Sequence, residues 1–221
     1  MLESIKKEVM NIALKAESSG LCKHRSGNFS IRDTETGYVA VTPSGVDREE
    51  LTYHDICIVD LDAKVIEAVT GLKPTSELLV HLALYKARPD IDSVAHTHSR
   101  FATTFAIINK PIPAIVYECA LLGLKEGYVP VAPYGRPGTK ALAENIAKEA
   151  LIADVVLMER HGVVAMDKNP KEALLKANYI EELAEMYYRA LSINENKEPK
   201  VFDLKELTDW KYPEEIKLTH Q

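Results

Sequence analysis

Three histidines of this chain are spaced so that they could bind one metal ion. His96 and His98 lie two residues apart in the apolar run 94–99, and His161 precedes another short hydrophobic run. Because side chains two residues apart point to the same face of a β-strand, the first two imidazoles would lie side by side. Three neutral imidazoles leave a tetrahedral zinc ion one open position, which is typical of a catalytic site. The alternative is that they are polar residues of a half-exposed strand and a turn.

A second candidate segment, residues 73–77, precedes a predicted helix. Backbone N–H groups at a helix start, together with the hydroxyls of Thr75 and Ser76, could bind a phosphate, and Glu77 could be a metal ligand or a base. In the alternative interpretation, Thr75 or Ser76 is the N-cap and Glu77 is a favourable first-turn acid. Glu77 and His81 share one helix at a four-residue spacing that is common and more often structural.

Two turns of small residues, 25–28 and 42–45, could also bind an anion. Small residues let backbone N–H groups approach a phosphate, and Arg25 could add a charged, bidentate donor. Either turn alone could be only a turn. Together with the helix start, however, they give three possible phosphate-binding segments beside one possible metal site.

Hydrophobic spacing predicts the elements that would position these residues. Helices are predicted over 2–19, 76–87, 99–108, 138–151 and 171–192. Strands are predicted at 29–31, 38–41, 56–59, 93–97, 115–117, 128–129, 155–158 and 163–166, the last two forming a hairpin. Strands outnumber those of a simple βα alternation, and helices precede, interrupt and follow them. The pattern therefore predicts an α/β fold with a largely antiparallel sheet between helical layers.

Composition narrows the class of protein. The 221 residues carry a net charge of −6, which gives no electrostatic signature of nucleic-acid binding. Three scattered cysteines fit neither a disulfide framework nor a cysteine-based zinc site, so a reducing, cytoplasmic location is expected. The amino terminus is charged and no run of eighteen apolar residues occurs, so neither a signal peptide nor a membrane span is expected.

Taken in chain order, the motifs resemble one known family. They are Ser-Gly-Asn at 26–28, Thr-Pro-Ser-Gly at 42–45, Pro-Thr-Ser-Glu at 74–77, His-Thr-His at 96–98 and His-Gly at 161–162. This set resembles the class II aldolase/adducin family, especially its L-fuculose-1-phosphate aldolases and L-ribulose-5-phosphate 4-epimerases. The resemblance implies a three-layer α/β/α fold with a mainly antiparallel central sheet, in a homotetramer with active sites between subunits. One domain, 1–221, is expected, with its core at about 3–193 and a tail at 194–221 that contains Trp210 and Tyr212.

The resemblance also implies roles for individual residues. The zinc ion, or another divalent metal, would be bound by His96, His98 and His161, and by Glu77 at rest. Glu77 would also act as the catalytic acid or base. The residues implied to hold the substrate phosphate are Asn28, Ser44, Gly45, Thr75 and Ser76.

Four residues bear on the rest of the substrate. Tyr117, which ends a Pro-Ala-Ile-Val-Tyr segment, would be a proton donor supplied by a neighbouring subunit, unless it is simply a strand aromatic. Arg25 replaces the threonine of familiar aldolases, and Pro137 stands near the position of their aromatic residue. Arg25 and Arg136 could bind a second acidic group of the substrate, or they could be surface charges.

The implied activity is zinc-dependent cleavage of a ketose 1-phosphate, similar to L-fuculose 1-phosphate, to dihydroxyacetone phosphate and an aldehyde through an enediolate. Ribulose-phosphate epimerases and 3-oxo-4-phospho-acid decarboxylases would use the same site. The epimerases carry aspartate at the Glu77 position and Thr-His-Ala-Asp where this chain has residues 117–120, which favours the aldolase. An adducin-like interaction domain would lack the metal-binding set that this chain retains.

Overall fold

The structure is a computed structural model that describes residues 1–209. Trp210 and Tyr212 lie outside the described residues. The helices are α1 (Glu3–Ser18), α2 (Leu78–Ala87), α3 (Arg100–Ile107), α4 (Lys140–Glu149), α5 (Pro170–Ile193) and α6 (Leu204–Thr208). The strands are β1 (Asn28–Arg32), β2 (Val39–Val41), β3 (Cys57–Val59), β4 (Val65–Glu67), β5 (Ser93–Thr97), β6 (Ile112–Pro113), β7 (Tyr128–Val129), β8 (Val131–Ala132), β9 (Val155–Met158) and β10 (Gly162–Asp167).

Eight strands form one sheet in the order β4-β3-β2-β1-β5-β10-β9-β8. Every pairing in this sheet is antiparallel except that of β8 with β9. The register places Asn28 of β1 and Val164 of β10 on either side of His96 in β5. The strands that carry or border the predicted site are therefore neighbours near the centre of the sheet.

Helices cover both faces of the sheet because its strands alternate apolar side chains between the two faces. In β10, Val163 and Ala165 join the hydrophobic core beneath α1, α3 and α5, whereas Val164 and Met166 join the core beneath α2 and α4. The three-layer α/β/α architecture with a mainly antiparallel sheet is thereby confirmed. Among residues 1–209, no helix combines the length and apolar character that crossing a membrane requires.

The segment around Tyr117 differs from the prediction. A strand was expected at 115–117, but the chain pairs at Ile112 and Pro113 and then enters a 3₁₀ helix, Tyr117–Leu122. Proline cannot donate a ladder hydrogen bond, so pairing weakens at this point. The carbonyl of Val116 instead accepts the N–H of Cys119, which turns the chain. Tyr117 is therefore not a strand aromatic.

Candidate metal centre and active site

Four side chains from three separate parts of the chain converge on one point. His96 lies in β5 and His98 directly follows that strand, while His161 lies in the β9–β10 turn. Pairing of β5 with β10 brings that turn beside the other two histidines. Glu77, the N-cap of α2, completes the group, whose four donor atoms all lie within 4.8 Å of one another.

The donor atoms are arranged as a cation would require. His96 Nδ1 donates to the carbonyl of Val163 at 2.9 Å, so its Nε2 carries a free lone pair. That Nε2 lies 3.1 Å from His98 Nε2 and 3.0 Å from Glu77 Oε2. Glu77 Oε1 lies 3.2 Å from His161 Nε2 and is buried without a hydrogen-bond partner. Lone pairs and a carboxylate facing one another at these distances repel unless a cation lies between them, and this donor set suits a catalytic divalent metal.

Burial favours the protonation states that bind metals. It lowers the pKa of His98 to about 3 and that of His161 to about 4, because a charged imidazole loses hydration there and also faces the neighbouring rings. Burial raises the pKa of the Glu77 carboxyl, but the His96 and His161 rings and the Asn28 amide together lower this pKa by more than burial raises it. Its pKa therefore falls below the ordinary value, and the site presents a carboxylate beside the neutral imidazoles of His98 and His161.

Two glycines allow the chain to pack closely around the histidines. A Cβ on Gly162 would lie 3.1 Å from His96 Cε1 and 3.4 Å from His98 Cδ2, and closer still to the carbonyl of Thr97. A Cβ on Gly27, where φ is +76°, would lie 2.8 Å from the backbone oxygen of His96. Side chains at these two positions would displace β5 from its neighbours.

A cavity of about 210 Å³ adjoins the candidate ligands Glu77, His98 and His161. Pro137 lines this cavity, and so do all the residues predicted to hold the phosphate. These predicted residues are Arg25, Asn28, Ser44, Gly45, Thr75 and Ser76. The structure thus brings the three predicted anion-binding segments together at the metal site.

The start of α2 differs from the prediction in one respect. Neither Thr75 nor Ser76 is its N-cap, because the helix begins at Leu78 and the N-cap is Glu77. Segment 73–75 is instead paired with the second turn: Ser44 N–H donates to the carbonyl of Lys73, and Thr75 N–H donates to that of Thr42. This pairing holds two of the anion-binding segments at one edge of the cavity.

Comparison with known proteins agrees with this geometry. The profile of the class II aldolase and adducin N-terminal domain matches residues 7–188. The chain belongs to this family.

The relatives of this family member include named aldolases. A 5-deoxy-D-ribulose 1-phosphate aldolase of Bacillus thuringiensis is 39% identical over 197 residues, covering 89% of this chain and 90% of that protein. An L-fuculose phosphate aldolase of Escherichia coli is 34% identical over 189 residues, covering 86% and 85%. A solved structure of an L-fuculose 1-phosphate aldolase superposes with a TM-score of 0.86 at 34% identity and covers 92% of each chain.

Two arginines of this family member lie near the first turn. Arg25 is largely exposed and forms a bidentate pair with Asp47, with both N–O distances at 2.8 Å. Arg48 is buried, and its guanidinium donates to the carbonyls of Ser26 and Gly27 at 3.3 and 2.6 Å. No carboxylate of residues 1–209 forms an ion pair with Arg48. Sequence reasoning missed it, because nothing distinguishes it from the charged residues beside it.

Tyr117 lies apart from the cavity of its own chain, at the start of the 3₁₀ helix and 38% exposed. Its role as a proton donor from a neighbouring subunit stays a prediction. Arg136 is exposed, and it is Pro137, the next residue of the same loop, that reaches the cavity lining.

Proposed function

We propose that this protein is a metal-dependent aldolase that cleaves the C3–C4 bond of a ketose 1-phosphate, releasing dihydroxyacetone phosphate and a short aldehyde. The observation that carries the proposal is the convergence of three imidazole nitrogens and a carboxylate beside a cavity lined by the three segments that are predicted to bind an anion. The relatives named for 5-deoxy-D-ribulose 1-phosphate and L-fuculose phosphate support it, since these substrates are both phosphorylated deoxyketoses. They differ chiefly in the aldehyde half.

The phosphate is bound by the cavity walls. Ser44, Thr75 and Ser76 offer hydroxyl donors, and Gly45 has a backbone N–H that no side chain of its own obstructs. The buried positive charge of Arg48 lies behind the first turn and favours an anion in front of it. Because the substrate is bound by its phosphate, the carbon–carbon bond that breaks is held at a fixed place beside the candidate metal-binding residues.

Cleavage requires three things of the residues around the substrate. The C4 hydroxyl loses a proton, the C3–C4 electron pair passes to the ketone to form an enediolate, and the enediolate carbon then gains a proton. Glu77 gives a proton to that carbon. Tyr117 of a neighbouring subunit accepts the proton from the hydroxyl that becomes the aldehyde, and it donates this proton back when the reaction runs in the condensation direction. A divalent cation bound by the three histidines supplies positive charge that stabilises the enediolate.

We infer that the cation is zinc, because three neutral imidazoles with one exchangeable carboxylate form a catalytic zinc donor set. A homotetramer is the assembly that the family resemblance implies, and Tyr117, which does not line the cavity of its own chain, would need a second copy to reach one. Asn28 retains one amide hydrogen for the phosphate after donating the other to Glu77.

A substrate panel tests the proposal. Purified protein is incubated with 5-deoxy-D-ribulose 1-phosphate, L-fuculose 1-phosphate, L-ribulose 5-phosphate, a 3-oxo-4-phospho acid and the unphosphorylated ketoses. Dihydroxyacetone phosphate is detected by a coupled NADH-dependent reductase, and the epimer and carbon dioxide are measured separately. The expected result is product from 1-phosphates only. Epimerised L-ribulose 5-phosphate without dihydroxyacetone phosphate, or carbon dioxide from a 3-oxo-4-phospho acid alone, would replace the aldolase by the epimerase or the decarboxylase.

A further inference from the structure

Five polar side chains form a buried row between β1 and α2. Asn28 and Ser30 project from alternate positions of β1, while Glu77, His81 and Tyr85 lie at four-residue intervals along α2 and its N-cap. All five are at most 7% exposed. A step of two residues along a strand advances roughly 6.6 Å, and a step of four residues along a helix advances about 6 Å. Because these steps are nearly equal, the side chains from β1 alternate with those from α2 along the row. We refer to this row as the polar ladder.

Consecutive members of the polar ladder are hydrogen-bonded. Asn28 Nδ2 donates to Glu77 Oε2 at 3.0 Å, and Asn28 Oδ1 lies 2.6 Å from His81 Nε2. Ser30 Oγ lies 2.7 Å from His81 Nδ1 and also 2.7 Å from the hydroxyl of Tyr85. Sequence spacing alone had pointed only to a common structural relation between Glu77 and His81.

The chemistry of the members fixes the direction of every bond. An ionised Glu77 only accepts, so the Asn28 amide must turn its nitrogen toward it and its oxygen toward His81. Burial lowers the pKa of His81 to about 3, so the ring is neutral and carries a single N–H. That N–H must be at Nε2, where Asn28 Oδ1 accepts it, which leaves Nδ1 to accept from Ser30.

We propose that His81 is a positioning residue for catalysis, whose Nε2–H holds the Asn28 amide so that it donates to Glu77 and orients that carboxylate in the active site. The inference rests on the proposed function for the role of Glu77 in proton transfer. A carboxamide does not pass a proton along, so the ladder orients Glu77 rather than relaying protons to it. Without the Nε2–H, the Asn28 amide can rotate and direct its carbonyl oxygen at the carboxylate, which repels it.

Kinetics of two variants at one position test the role. In His81→Leu, kcat for dihydroxyacetone phosphate release should fall by about 100-fold, the loss expected for a misplaced catalytic group. KM for the ketose 1-phosphate should rise much less than kcat falls, because Asn28 is only one of the residues proposed to hold the phosphate, and the metal content per chain should stay near the wild-type value, because the three histidines do not depend on that N–H. His81→Gln, which restores a donor, should recover most of kcat.

Tyr187→Phe is the matched control. Tyr187 is equally buried and its hydroxyl contacts Glu198 on the opposite side of the sheet, so its loss should lower stability and leave kcat unchanged. The positioning role is wrong if Tyr187→Phe and the His81 variants lose kcat in proportion to their loss of thermal stability. It is also wrong if kcat of His81→Gln is no higher than kcat of His81→Leu.

The tautomer gives a test that needs neither variant activity nor substrate. Long-range ¹H–¹⁵N correlation spectra of metal-loaded, histidine-labelled protein should show one ring, assigned to His81 by its contact with Ser30, with its proton on Nε2. A neutral ring with its proton on Nδ1 would overturn the inference even if the variants do not fold, because Nε2 could then not donate to Asn28. Failure of the wild-type protein to cleave any ketose 1-phosphate would instead refute the proposed function, while the spectrum still decides the direction of the ladder.

Discussion

Acid should destabilise the metal-free protein through His81. This side chain is fully buried, and its pKa falls from an ordinary 6.5 to about 3, first because burial penalises the charged ring and then because His96 repels it, with Glu77 acting in the opposite sense. In the unfolded chain the ring regains its ordinary pKa. Between these two values the unfolded chain binds more protons than the folded chain, so the free energy of unfolding rises with pH across that window.

The size of the effect follows from the same two values. A pH of 5 lies about 1.5 units below the ordinary pKa of 6.5, so the ring is protonated in the unfolded chain and neutral in the folded chain at this pH. At about 1.36 kcal/mol per unit, the His81 contribution lost between pH 8 and pH 5 is about 2 kcal/mol. The loss continues until the pH reaches about 3, where the folded ring also binds a proton.

Urea denaturation of metal-free protein measures this loss. Wild type and His81→Gln are compared at pH 8 and pH 5, so that the titration of His98 and His161, present in both, cancels. The stability advantage of the wild type over the variant should shrink by about 2 kcal/mol at pH 5. The exposed His54 provides the control, since His54→Gln should leave that difference the same at both pH values. An advantage that is constant or grows on acidification would refute the burial argument.

Further perturbations address the other parts of the site. A chelator should abolish release of dihydroxyacetone phosphate and added zinc should restore it, whereas full activity in metal-free protein would contradict the proposed function; His96→Ala should lose the metal. Glu77→Gln should retain it but lower kcat by about 10²- to 10⁴-fold, and wild-type turnover would exclude Glu77 as the acid or base. Gly162→Ala should reduce metal content and cost about 1–3 kcal/mol of unfolding free energy, because its Cβ meets the carbonyl of Thr97 and two histidine rings. Arg48→Met should raise KM more than it lowers kcat and weaken inhibition by inorganic phosphate; an equal effect from Arg189→Met, whose exposed side chain pairs with Glu185 outside the cavity lining, would contradict a special role for the buried charge.

The three candidate metal-binding histidines could be predicted because their spacing and their places beside short hydrophobic runs are local features. The two-residue spacing of His96 and His98 fixes a shared face on any strand, and the hairpin that follows 155–158 returns His161 to the neighbouring strand. The anion-binding segments were recognisable for the same reason, since small residues and a helix start have local backbone requirements. The family resemblance supplied the assignment of Glu77.

The remaining features depend on which strand meets which helix. The pairing of Asn28 with His81 spans 53 residues, and a four-residue spacing on a helix does not reveal whether a polar strand lies opposite. The N-cap of α2 is Glu77 rather than Thr75 or Ser76, because the backbone of Thr75 pairs with that of Thr42, which is another long-range contact. Arg48 was overlooked for a similar reason: only the folded chain shows that its charge is buried against the carbonyls of Ser26 and Gly27.

The order β1-β5-β10 has a consequence for the lifetime of the protein in a cell. An ion held by Glu77, by the end of β5 and by the β9–β10 turn would bridge parts of the chain more than 80 residues apart in sequence, beside strands near the centre of the sheet. Its binding would therefore stabilise the folded chain, by about 2.7 kcal/mol when free metal exceeds its dissociation constant 100-fold. Scarcity of metal would then expose the chain to proteases, and the amount of enzyme would fall together with its activity.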